Sequence, residues 1–308
     1  MEDVVNLYVT IGISKSGKTT WSKKMVNEYS DIVHVSSDEI REELTGGVYD
    51  KTRNNEVFSI MYKRTLKHLK EGKNVIYDAT NLGFKKRRHF LKTIIKDMNN
   101  AGKQFWIRYK MFFCDIETLM DRAEKDDFPK DVIMRQLRSF QVPGELLDVN
   151  HIRKKIDSLE FTGSSQNIEN LQIKMIGFDQ NNEHHKLDLY DHCKKVETNI
   201  TVTYLKPFGM WHDVGKLYTR IEGEDGQSHY PNHANVSAYL YFAYISLHSR
   251  YLMDSFRDMG AFIQEHMNIK FINTKKAYDS LLERMGISQE SHNNPLLYLS
   301  LMDDMSRK

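Results

Sequence analysis

The stretch GISKSGKT, residues 12–19, separates two glycines by four residues and follows the second with Lys18 and Thr19. Glycines in such a loop allow backbone N–H groups to point inward at an anion, and the helix that follows directs its positive end at the same phosphates. An apolar, β-rich run at residues 6–13 leads into the loop, and a helical pattern covers residues 18–28. Strand, loop and helix in this order predict a nucleotide-phosphate site at the end of a strand.

Strand-like and helical patterns alternate along the rest of the first half. Short strands are predicted at residues 32–35, 74–78 and 105–113, and helices at residues 54–70, 85–99, 116–125 and 131–140. Such alternation indicates a parallel sheet with helices on both faces. The sequence therefore predicts an α/β P-loop domain over residues 1–150.

The second half differs because the helical period dominates it. A polar stretch at residues 161–167 interrupts the alternating pattern, and one β-like segment follows at residues 171–178. Helical patterns then cover residues 187–204, 234–247, 251–268, 275–285 and 295–305. We expect a linker with a short β segment over residues 151–182 and an all-α domain over residues 183–308.

The composition is that of a globular protein with nearly balanced charge. Of 308 residues 40% are hydrophobic, and 44 Lys and Arg against 42 Asp and Glu leave a net charge of +2. Net charge therefore does not imply adhesion to nucleic acid, and any such contact must come from local patches. Two distant cysteines, an acidic N-terminus and the lack of a long apolar run lead us to expect a cytoplasmic protein without membrane association.

The loop itself supplies the candidate residues for a nucleotide. Lys18 would reach the β and γ phosphates, and the Thr19 hydroxyl would bind Mg²⁺, so the expected cofactors are ATP and Mg²⁺. The candidate cofactor-binding residues are Gly12, Ser14, Lys15, Ser16, Gly17, Lys18, Thr19 and Thr20.

Candidate residues for a phosphoryl acceptor follow the next two strands. In VSSDEIR, residues 35–41, Asp38 can accept a hydroxyl proton and Arg41 can bind a phosphate through two parallel hydrogen bonds. An N-cap aspartate beside a solvated arginine is the alternative. YDATNL, residues 77–82, ends the following strand, and the basic run KKRRH at residues 85–89 is either a solvated helix face or a contact for a polynucleotide backbone.

Together the P-loop, SDEIR, DATNL with its basic run, and a later arginine-bearing helix resemble the polynucleotide kinase family over about residues 5–145. Phage members of that family phosphorylate 5′-hydroxyl ends of RNA or DNA. The resemblance implies that Asp38 is the general base and that Arg122 is a lid arginine, with Arg135 as the candidate for a second one. The implied catalytic residues of this half are Lys18, Asp38, Arg41 and Arg122, and the implied substrate-binding residues are Asp78, Thr80, Asn81, Arg87, Arg88 and Arg135.

A second set of chemically active residues surrounds WHDVGK, residues 211–216. Adjacent histidine and aspartate are common, but further imidazoles and a carboxylate recur on the predicted helices around them. Imidazole with carboxylate suits Mn²⁺, Fe²⁺, Co²⁺, Ni²⁺, Zn²⁺ or Mg²⁺ better than a thiolate site does. The candidate metal ligands are His192, His212, Asp213, His233, His266 and Asp303.

For any one of these histidines, an ordinary core or surface role is the alternative. Asp303 is preferred to Asp304 because the Leu-x-x-Asp register places it on the inward face of its helix. His184 and His185 are expected to be structural or at the rim of the site.

The ordered histidines and aspartates resemble the HD-domain phosphohydrolase superfamily over about residues 183–308. The resemblance implies a main metal bound by His192, His212, Asp213 and Asp303. His233 and His266 would complete a second metal site or contact the scissile phosphate. Lys216 would be a catalytic residue that neutralises the substrate phosphate.

Our first hypothesis is a bifunctional end-healing enzyme that phosphorylates 5′-hydroxyl ends and removes a 3′-phosphate or 2′,3′-cyclic phosphate. Its substrates would be RNA or DNA ends, its functional partner a nucleic-acid ligase, and its location the host cytoplasm if a phage encodes it. The alternatives are a small-molecule or nucleotide kinase fused to a nucleotidase, and an ATP-dependent regulatory module with a degenerate HD scaffold. RNA or DNA preference, the identity and number of metals, and the oligomeric state stay open.

Overall fold

The computed structural model describes residues 4–46, 51–144, 154–182, 186–286 and 295–307. Its central feature is a five-stranded parallel sheet with the strand order β2-β3-β1-β4-β5. The middle strand packs between two neighbours and is buried along most of its length, as the apolar run predicts. The strands are β1 (Val5–Gly12), β2 (Ile32–Ser36), β3 (Asn74–Asp78), β4 (Phe105–Phe113) and β5 (Lys154–Phe161).

Helices flank this sheet and connect its strands. Each turns one apolar stripe towards the sheet; in the third helix, for example, the buried residues Val57, Met61, Thr65 and Leu69 recur every fourth position. The helices of this sheet region are α1 (Lys18–Glu28), α2 (Ser37–Thr45), α3 (Asn54–Lys70), α4 (Phe84–Asn100), α5 (Ile116–Lys125) and α6 (Lys130–Arg138).

The rest of the described chain, which we call the helical region, is built from short and medium helices. Their order is α7 (Ser165–Glu169), α8 (Leu171–Met175), α9 (Leu189–Asn199), α10 (Lys206–Trp211), α11 (Lys216–Thr219), α12 (His233–His248), α13 (Asp254–Glu265), α14 (Lys275–Met285) and α15 (Pro295–Met305). Between α11 and α12 the chain forms a small antiparallel hairpin of β6 (Ile221–Glu222) and β7 (Ser228–His229), which the all-α prediction missed.

The predicted elements of the first half are present, with ends shifted by up to two residues. The β segment predicted at residues 171–178 is wrong, because Leu171–Met175 is the helix α8. Leu171 and Met175 are buried there at the i,i+4 spacing of a helix, while Ile173 is exposed, so the alternating apolar pattern was misleading. The strand in the predicted linker is instead β5, which pairs with β4 and extends the sheet. His184 and His185 lie outside the described residues.

The sheet region and the helical region share one core. Phe113 at the end of β4 and Phe140 after α6 pack against Tyr239 and Phe242 of α12, with ring centroids 5.3–6.2 Å apart. The Tyr239 hydroxyl also bonds both backbone groups of Cys114, accepting from its N–H at 3.0 Å and donating to its C=O at 2.9 Å. Helix α12 is therefore held directly against the carboxyl edge of the sheet.

Two further observations bear on the sequence-based expectations. Both cysteines, Cys114 and Cys193, are buried free thiols, and burial raises the pKa of Cys114 to about 12. Among the described residues, no helix has both the length and the apolar surface that crossing a bilayer requires.

Candidate functional site

The loop between β1 and α1 has the backbone geometry of an anion-binding loop. Lys15 and Gly17 adopt positive φ angles of 69° and 92°, so the chain curls back on itself before α1 begins at Lys18. A Cβ atom at Gly12 would lie 2.6 Å from Ser16 Oγ and 2.9 Å from the Phe112 carbonyl oxygen. The first glycine is therefore required by close packing and the second by backbone conformation.

Lys18 and Asp78 form the charged centre of this loop. Lys18 is buried and its Nζ donates to the Ile13 carbonyl oxygen at 2.8 Å. Burial lowers the pKa of Lys18, against the opposing attraction of Asp78 and Asp38. Burial alone would raise the pKa of Asp78, but hydrogen bonding to His34 and the charge of Lys18 hold it below its usual value. Asp78 is therefore a carboxylate at neutral pH.

Asp78 also contacts the residue that would bind Mg²⁺. Its Oδ2 accepts from the Thr19 hydroxyl at 3.1 Å and lies 3.0 Å from His34 Nε2, and its Oδ1 accepts from the Thr10 hydroxyl at 3.1 Å. A hydroxyl and a carboxylate side by side are the oxygen ligands that Mg²⁺ prefers in P-loop proteins. Asp78 therefore lies beside Thr19, on the predicted phosphate side of the site.

A cavity of about 670 Å³ connects this loop with the ends of β2 and β3. Asp38 and Thr80 line it together with Lys18, so the predicted phosphate side and acceptor side open into one space. Other predicted residues that line it are Ser14, Lys15, Gly17, Thr19, Thr20, Asp78 and Arg122. Gly12 and Ser16 do not line the cavity; they are buried behind the loop and shape it.

The acceptor side begins at the start of α2. Ser36 caps this helix, since its hydroxyl accepts from the backbone N–H of Asp38 and of Glu39, both at 3.3 Å. The alternative in which Asp38 is the N-cap is therefore wrong, and its carboxylate is 80% exposed at the cavity. Arg41 does not line the cavity; it donates to Asp38 Oδ1 at 3.0 Å and to Asn54 Oδ1 at 3.2 Å, which positions the Asp38 carboxylate.

Two side chains from α5 and α6 close over the loop. Arg122 donates to the Lys15 carbonyl oxygen at 2.9 Å and to the Thr162 hydroxyl at 3.1 Å. Gln136 Oε1 accepts from the Ser14 backbone N–H at 2.7 Å, and its Nε2 donates to Ser14 Oγ at 2.9 Å. The sequence analysis missed Gln136 and Thr162, which lie on elements whose approach to the loop no local motif reports.

Four predicted substrate-binding residues lie elsewhere. Arg87 is buried and donates to the backbone carbonyls of residues 81, 82, 141 and 142, so it is not available to a substrate. Arg88 pairs with Glu283 of α14. Asn81 uses its amide to bond the Thr10 carbonyl oxygen at 2.8 Å, and Arg135 lines a different cavity. Within the basic run at residues 85–89, Arg87 and Arg88 therefore have structural contacts, whereas Lys85, Lys86 and His89 are exposed.

The second set of predicted residues converges on one buried cluster, which we call the metal-ligand cluster. Asp213 is its centre: Oδ2 lies 3.5 Å from His192 Nε2 and 3.3 Å from His212 Nε2, and Oδ1 lies 3.0 Å from His233 Nε2 and 3.6 Å from His266 Nε2. Asp303 completes it, with Oδ1 at 3.3 Å from His192 Nε2 and 3.7 Å from His212 Nε2. The cluster consists of His192, His212, Asp213, His233, His266 and Asp303.

Three of these imidazoles are oriented by the backbone. The Nδ1 atoms of His212, His233 and His266 lie 2.9, 2.8 and 2.7 Å from the carbonyl oxygens of residues 209, 230 and 263. A carbonyl oxygen can only accept, so each Nδ1 carries a proton and Nε2 is the ring nitrogen that faces the cluster. A metal-binding histidine has this orientation, and its Nε2 must be unprotonated when a cation binds.

The electrostatics of the cluster fit a cation. His212 Nε2 and Asp303 Oδ1 are buried 3.7 Å apart, and neither makes a hydrogen bond to the part of the chain that the structure describes. Burial would lower the pKa of His212, yet Asp213 and Asp303 raise it to about 10. Burial lowers the pKa of His266 to about 4, against Asp213. Mixed imidazole and carboxylate donors of this kind suit a divalent metal.

Lys216 and the C-terminal aspartates complete the description. Lys216 Nζ lies 2.6 Å from Asp213 Oδ2 and donates to Gln180 Oε1 at 2.7 Å, so the predicted lysine is at the cluster and Gln180 is a partner that the sequence did not indicate. Asp303 is 2% exposed, whereas Asp304 is half exposed and pairs with Lys270. The structure therefore brings Asp303, and not Asp304, into the cluster.

Comparison with known proteins relates the sheet region to one family model and the chain to several solved structures. Residues 7–143 match the family model described as AAA domain. Among solved structures, the chain is similar to the Pnkp1/Rnl/Hen1 RNA repair complex (21% identity, TM-score 0.38, 45% of each chain covered) and to a second Pnkp1/Rnl/Hen1 complex (22%, 0.33, 39% of each). It is also similar to a fungal RNA kinase (15%, 0.39, 58% of this chain and 86% of that one). No curated protein matches.

The chain spans less than half the length of the two repair-complex chains. The AAA domain match ends before β5 and includes none of the residues of the metal-ligand cluster. What that cluster does is therefore inferred from its own geometry.

Proposed function

We propose that the chain is a bifunctional nucleic-acid end-healing enzyme. Its P-loop cavity would transfer the γ-phosphate of ATP to a polynucleotide 5′-hydroxyl, and its metal-ligand cluster would remove a 3′-phosphate or 2′,3′-cyclic phosphate. The observation that carries the proposal is the single cavity in which Lys18 and Thr19 face Asp38. An ATPase needs only the first two, whereas a kinase also needs a group that can take a hydroxyl proton.

In the kinase reaction the loop amides and Lys18 would bind the β and γ phosphates. Thr19 and Asp78, whose side-chain oxygens lie 3.1 Å apart, would be the protein ligands of Mg²⁺. Asp38 would accept the proton of the attacking hydroxyl while Arg41 keeps its carboxylate in position. Arg122, which lines the cavity and donates to the Lys15 carbonyl oxygen, would be the lid arginine that stabilises charge on the transferring phosphoryl group.

In the hydrolytic reaction the metal-ligand cluster would hold one or two divalent cations. His192, His212, Asp213 and Asp303 surround one position, and Asp213, His233 and His266 surround a second. When bound, such a cation lowers the pKa of water and stabilises negative charge at phosphorus. Lys216 would contribute a fixed positive charge for the substrate phosphate. The two reactions leave 5′-phosphate and 3′-hydroxyl ends, which a nucleic-acid ligase joins.

The kinase is tested with γ-labelled ATP and an oligonucleotide bearing a 5′-hydroxyl. We expect label on the oligonucleotide, a loss of about 10²-fold or more in Asp38→Asn, and loss of ATP binding in Lys18→Ala. Arg64→Ala is the matched surface control and should transfer label normally. It removes an exposed arginine of α3 that pairs with Glu43 of α2. Absence of label from every oligonucleotide would reject the proposed acceptor.

The hydrolase is tested with matched RNA and DNA oligonucleotides that carry 3′-phosphate or 2′,3′-cyclic phosphate ends, over a panel of divalent ions. We expect metal-dependent release of the terminal phosphate. Asp213→Ala should abolish this release and retain 5′-phosphorylation, whereas Lys18→Ala should abolish 5′-phosphorylation and retain the release. A purified wild-type protein that binds no metal and releases no phosphate would support the alternative of an ATP-dependent regulatory module with a degenerate scaffold.

One structural observation favours a second candidate function, a small-molecule or nucleotide kinase joined to a nucleotidase. Arg87 donates to backbone carbonyl groups and Arg88 pairs with Glu283. Two residues that were predicted to bind a polynucleotide therefore already have partners within the chain. Label that appears on free nucleosides and never on oligonucleotides would decide for this candidate.

A further inference from the structure

A second cavity, of about 570 Å³, lies between α6 and the residue before α12. Asp131, Met134, Arg135, Arg138, Ser139 and Asn232 line it. Two arginines against one aspartate leave its lining with a net charge of 2 − 1 = +1. Neither proposed reaction uses this cavity.

Arg138 is the charged group of this cavity that no described carboxylate neutralises. Its Nε is buried and has no hydrogen-bond acceptor among the described residues. A partly buried guanidinium that lacks an acceptor is costly to hold in place, and its forked donors match the oxygens of a phosphate. The side chain is therefore set up for an anionic ligand.

Arg135 can add a second cation. It pairs with Asp131 at 2.9 Å, but both side chains are about 70% exposed, at 68% and 75%. Ion pairs exposed to this degree contribute little and exchange readily for a stronger partner. A phosphate bound by Arg138 could therefore recruit Arg135 without a large cost.

The cavity adjoins the metal-ligand cluster through α12. Asn232, which lines the cavity, directly precedes His233, whose Nε2 lies 3.0 Å from Asp213 Oδ1. The first turn of α12 is fixed to α6, because Asn235 Nδ2 donates to the Arg138 carbonyl oxygen at 2.7 Å. The bond between α6 and α12 therefore connects the backbone at Arg138 to the first turn of the helix that begins with His233.

We propose that Arg138 and Arg135 bind a backbone phosphate of the nucleic-acid strand whose 3′ end is processed at the metal-ligand cluster. The inference rests on the proposed hydrolysis of nucleic-acid ends and adds where the strand lies. A single phosphate fills a small part of 570 Å³, which leaves room for the sugar and base attached to it. Such a contact would fix the position of the strand without reading its sequence.

The test is equilibrium binding of a labelled single-stranded RNA by fluorescence anisotropy. An RNA of about 12 nucleotides matches the site size of single-strand binders. It carries a 5′-phosphate and a 3′-hydroxyl, so neither proposed reaction consumes it. We expect Arg138→Ala to raise the Kd about tenfold and to reduce the slope of log K against log salt by about 0.7, the value for one lost phosphate contact.

Matched variants separate this effect from general loss of charge. Arg138→Lys keeps the charge but not the fork, so its Kd should lie between those of wild type and Arg138→Ala. Arg64→Ala removes an exposed positive charge on α3 and should leave the Kd and the salt slope unchanged. An unchanged Kd in Arg138→Ala, or an equal loss in Arg64→Ala, would overturn the proposal.

A measurement on the wild-type chain alone avoids dependence on the fold of a variant. Neutral methylphosphonate linkages are placed in the RNA one at a time. One linkage, near the 3′ end, should weaken binding to the wild-type chain more than any other linkage does. Equal losses of affinity at all linkages would overturn the proposal. So would inorganic phosphate that binds to the arginines while the affinity of the chain for RNA stays unchanged. Because no turnover is measured, an inactive cluster would leave these results readable.

Discussion

Asp213 shows at the residue scale how one side chain organises the metal-ligand cluster. Its two oxygens face different pairs of histidines, so a substitution there would disturb both candidate cation positions at once. Asp303 is more selective, since it faces only His192 and His212. A substitution of Asp303 should therefore disturb the candidate cation position beside His192 and His212 and leave the second position intact.

Asp303→Asn and Asp304→Asn form a matched pair of substitutions on α15. Both remove one negative charge near Lys270 and Arg307, but only Asp303 lies within the cluster. We expect Asp303→Asn to weaken binding of a divalent metal by at least about 10–100-fold, the loss typical of partners that only orient a ligand, and Asp304→Asn to leave it unchanged. Metal titration followed by elemental analysis measures both; equal losses would place the ligand elsewhere.

Gln136 contacts the loop at which we propose that ATP binds. Its amide oxygen accepts from the Ser14 N–H, one of the loop donors that we propose bind a nucleotide phosphate. Gln136→Glu would put a carboxylate beside that phosphate, so the KM for ATP should rise at least about tenfold through like-charge repulsion. Gln166→Glu on the exposed face of α7 is the control, since its partner is Asn170. An unaltered KM in Gln136→Glu would show that Gln136 leaves the loop when ATP binds.

The residues that sequence reasoning could identify are those whose chemistry is carried by a local motif or by a rare residue type. Lys18, Thr19 and Asp38 stand in or beside motifs, and His212 and His266 belong to an ordered series of histidines and aspartates on the predicted helices. Arg87 was misassigned because a run of basic residues does not reveal which one turns inward to bond carbonyl groups. Gln136 could not be identified, because its role depends on how α6 packs over the loop.

At the scale of elements, the same distinction explains which parts of the fold could be predicted. The strand-helix alternation of the first half is strongly periodic, and its elements appear where expected. Leu171–Met175 has apolar residues at every second position, a pattern that a strand and a short helix can share until burial selects one face. β5 extends the edge of the sheet because it pairs with β4. The sequence of neither segment alone predicts this pairing.

The contact between α12 and β4 gives a prediction about stability. Tyr239→Phe keeps the aromatic packing with Phe113 but removes the hydroxyl that bonds both backbone groups of Cys114. Leaving these buried groups without a partner should lower the free energy of unfolding by about 2 kcal/mol. Tyr241→Phe, on the same helix, is the control because its hydroxyl makes no hydrogen bond to a described residue. Urea unfolding measures both, and indistinguishable midpoints would contradict the assigned role of Tyr239.

At the scale of the whole molecule, the two candidate sites are built on one continuous core. The end of α6 contacts α12 through Asn235, and Gln264 of α13 accepts from the Val142 N–H at 2.7 Å beyond α6. The helix that covers the P-loop is thus also packed against α12, and the segment that follows it is bonded to α13. A chain of this kind is expected to unfold as a unit rather than as two independent domains.

This shared core predicts that metal binding stabilises the sheet. A ligand at one hundred times its Kd adds about 2.7 kcal/mol to the free energy of unfolding of everything that unfolds with its site. Hydrogen exchange at increasing urea, with and without Mn²⁺, can follow peptides from β4 and from α12 separately. We expect both to lose protection at one midpoint and Mn²⁺ to raise that midpoint equally for both, with the shift absent in Asp213→Ala. A shift confined to α12 would show that the aromatic contacts of Tyr239 and Phe242 with the sheet do not couple the two regions.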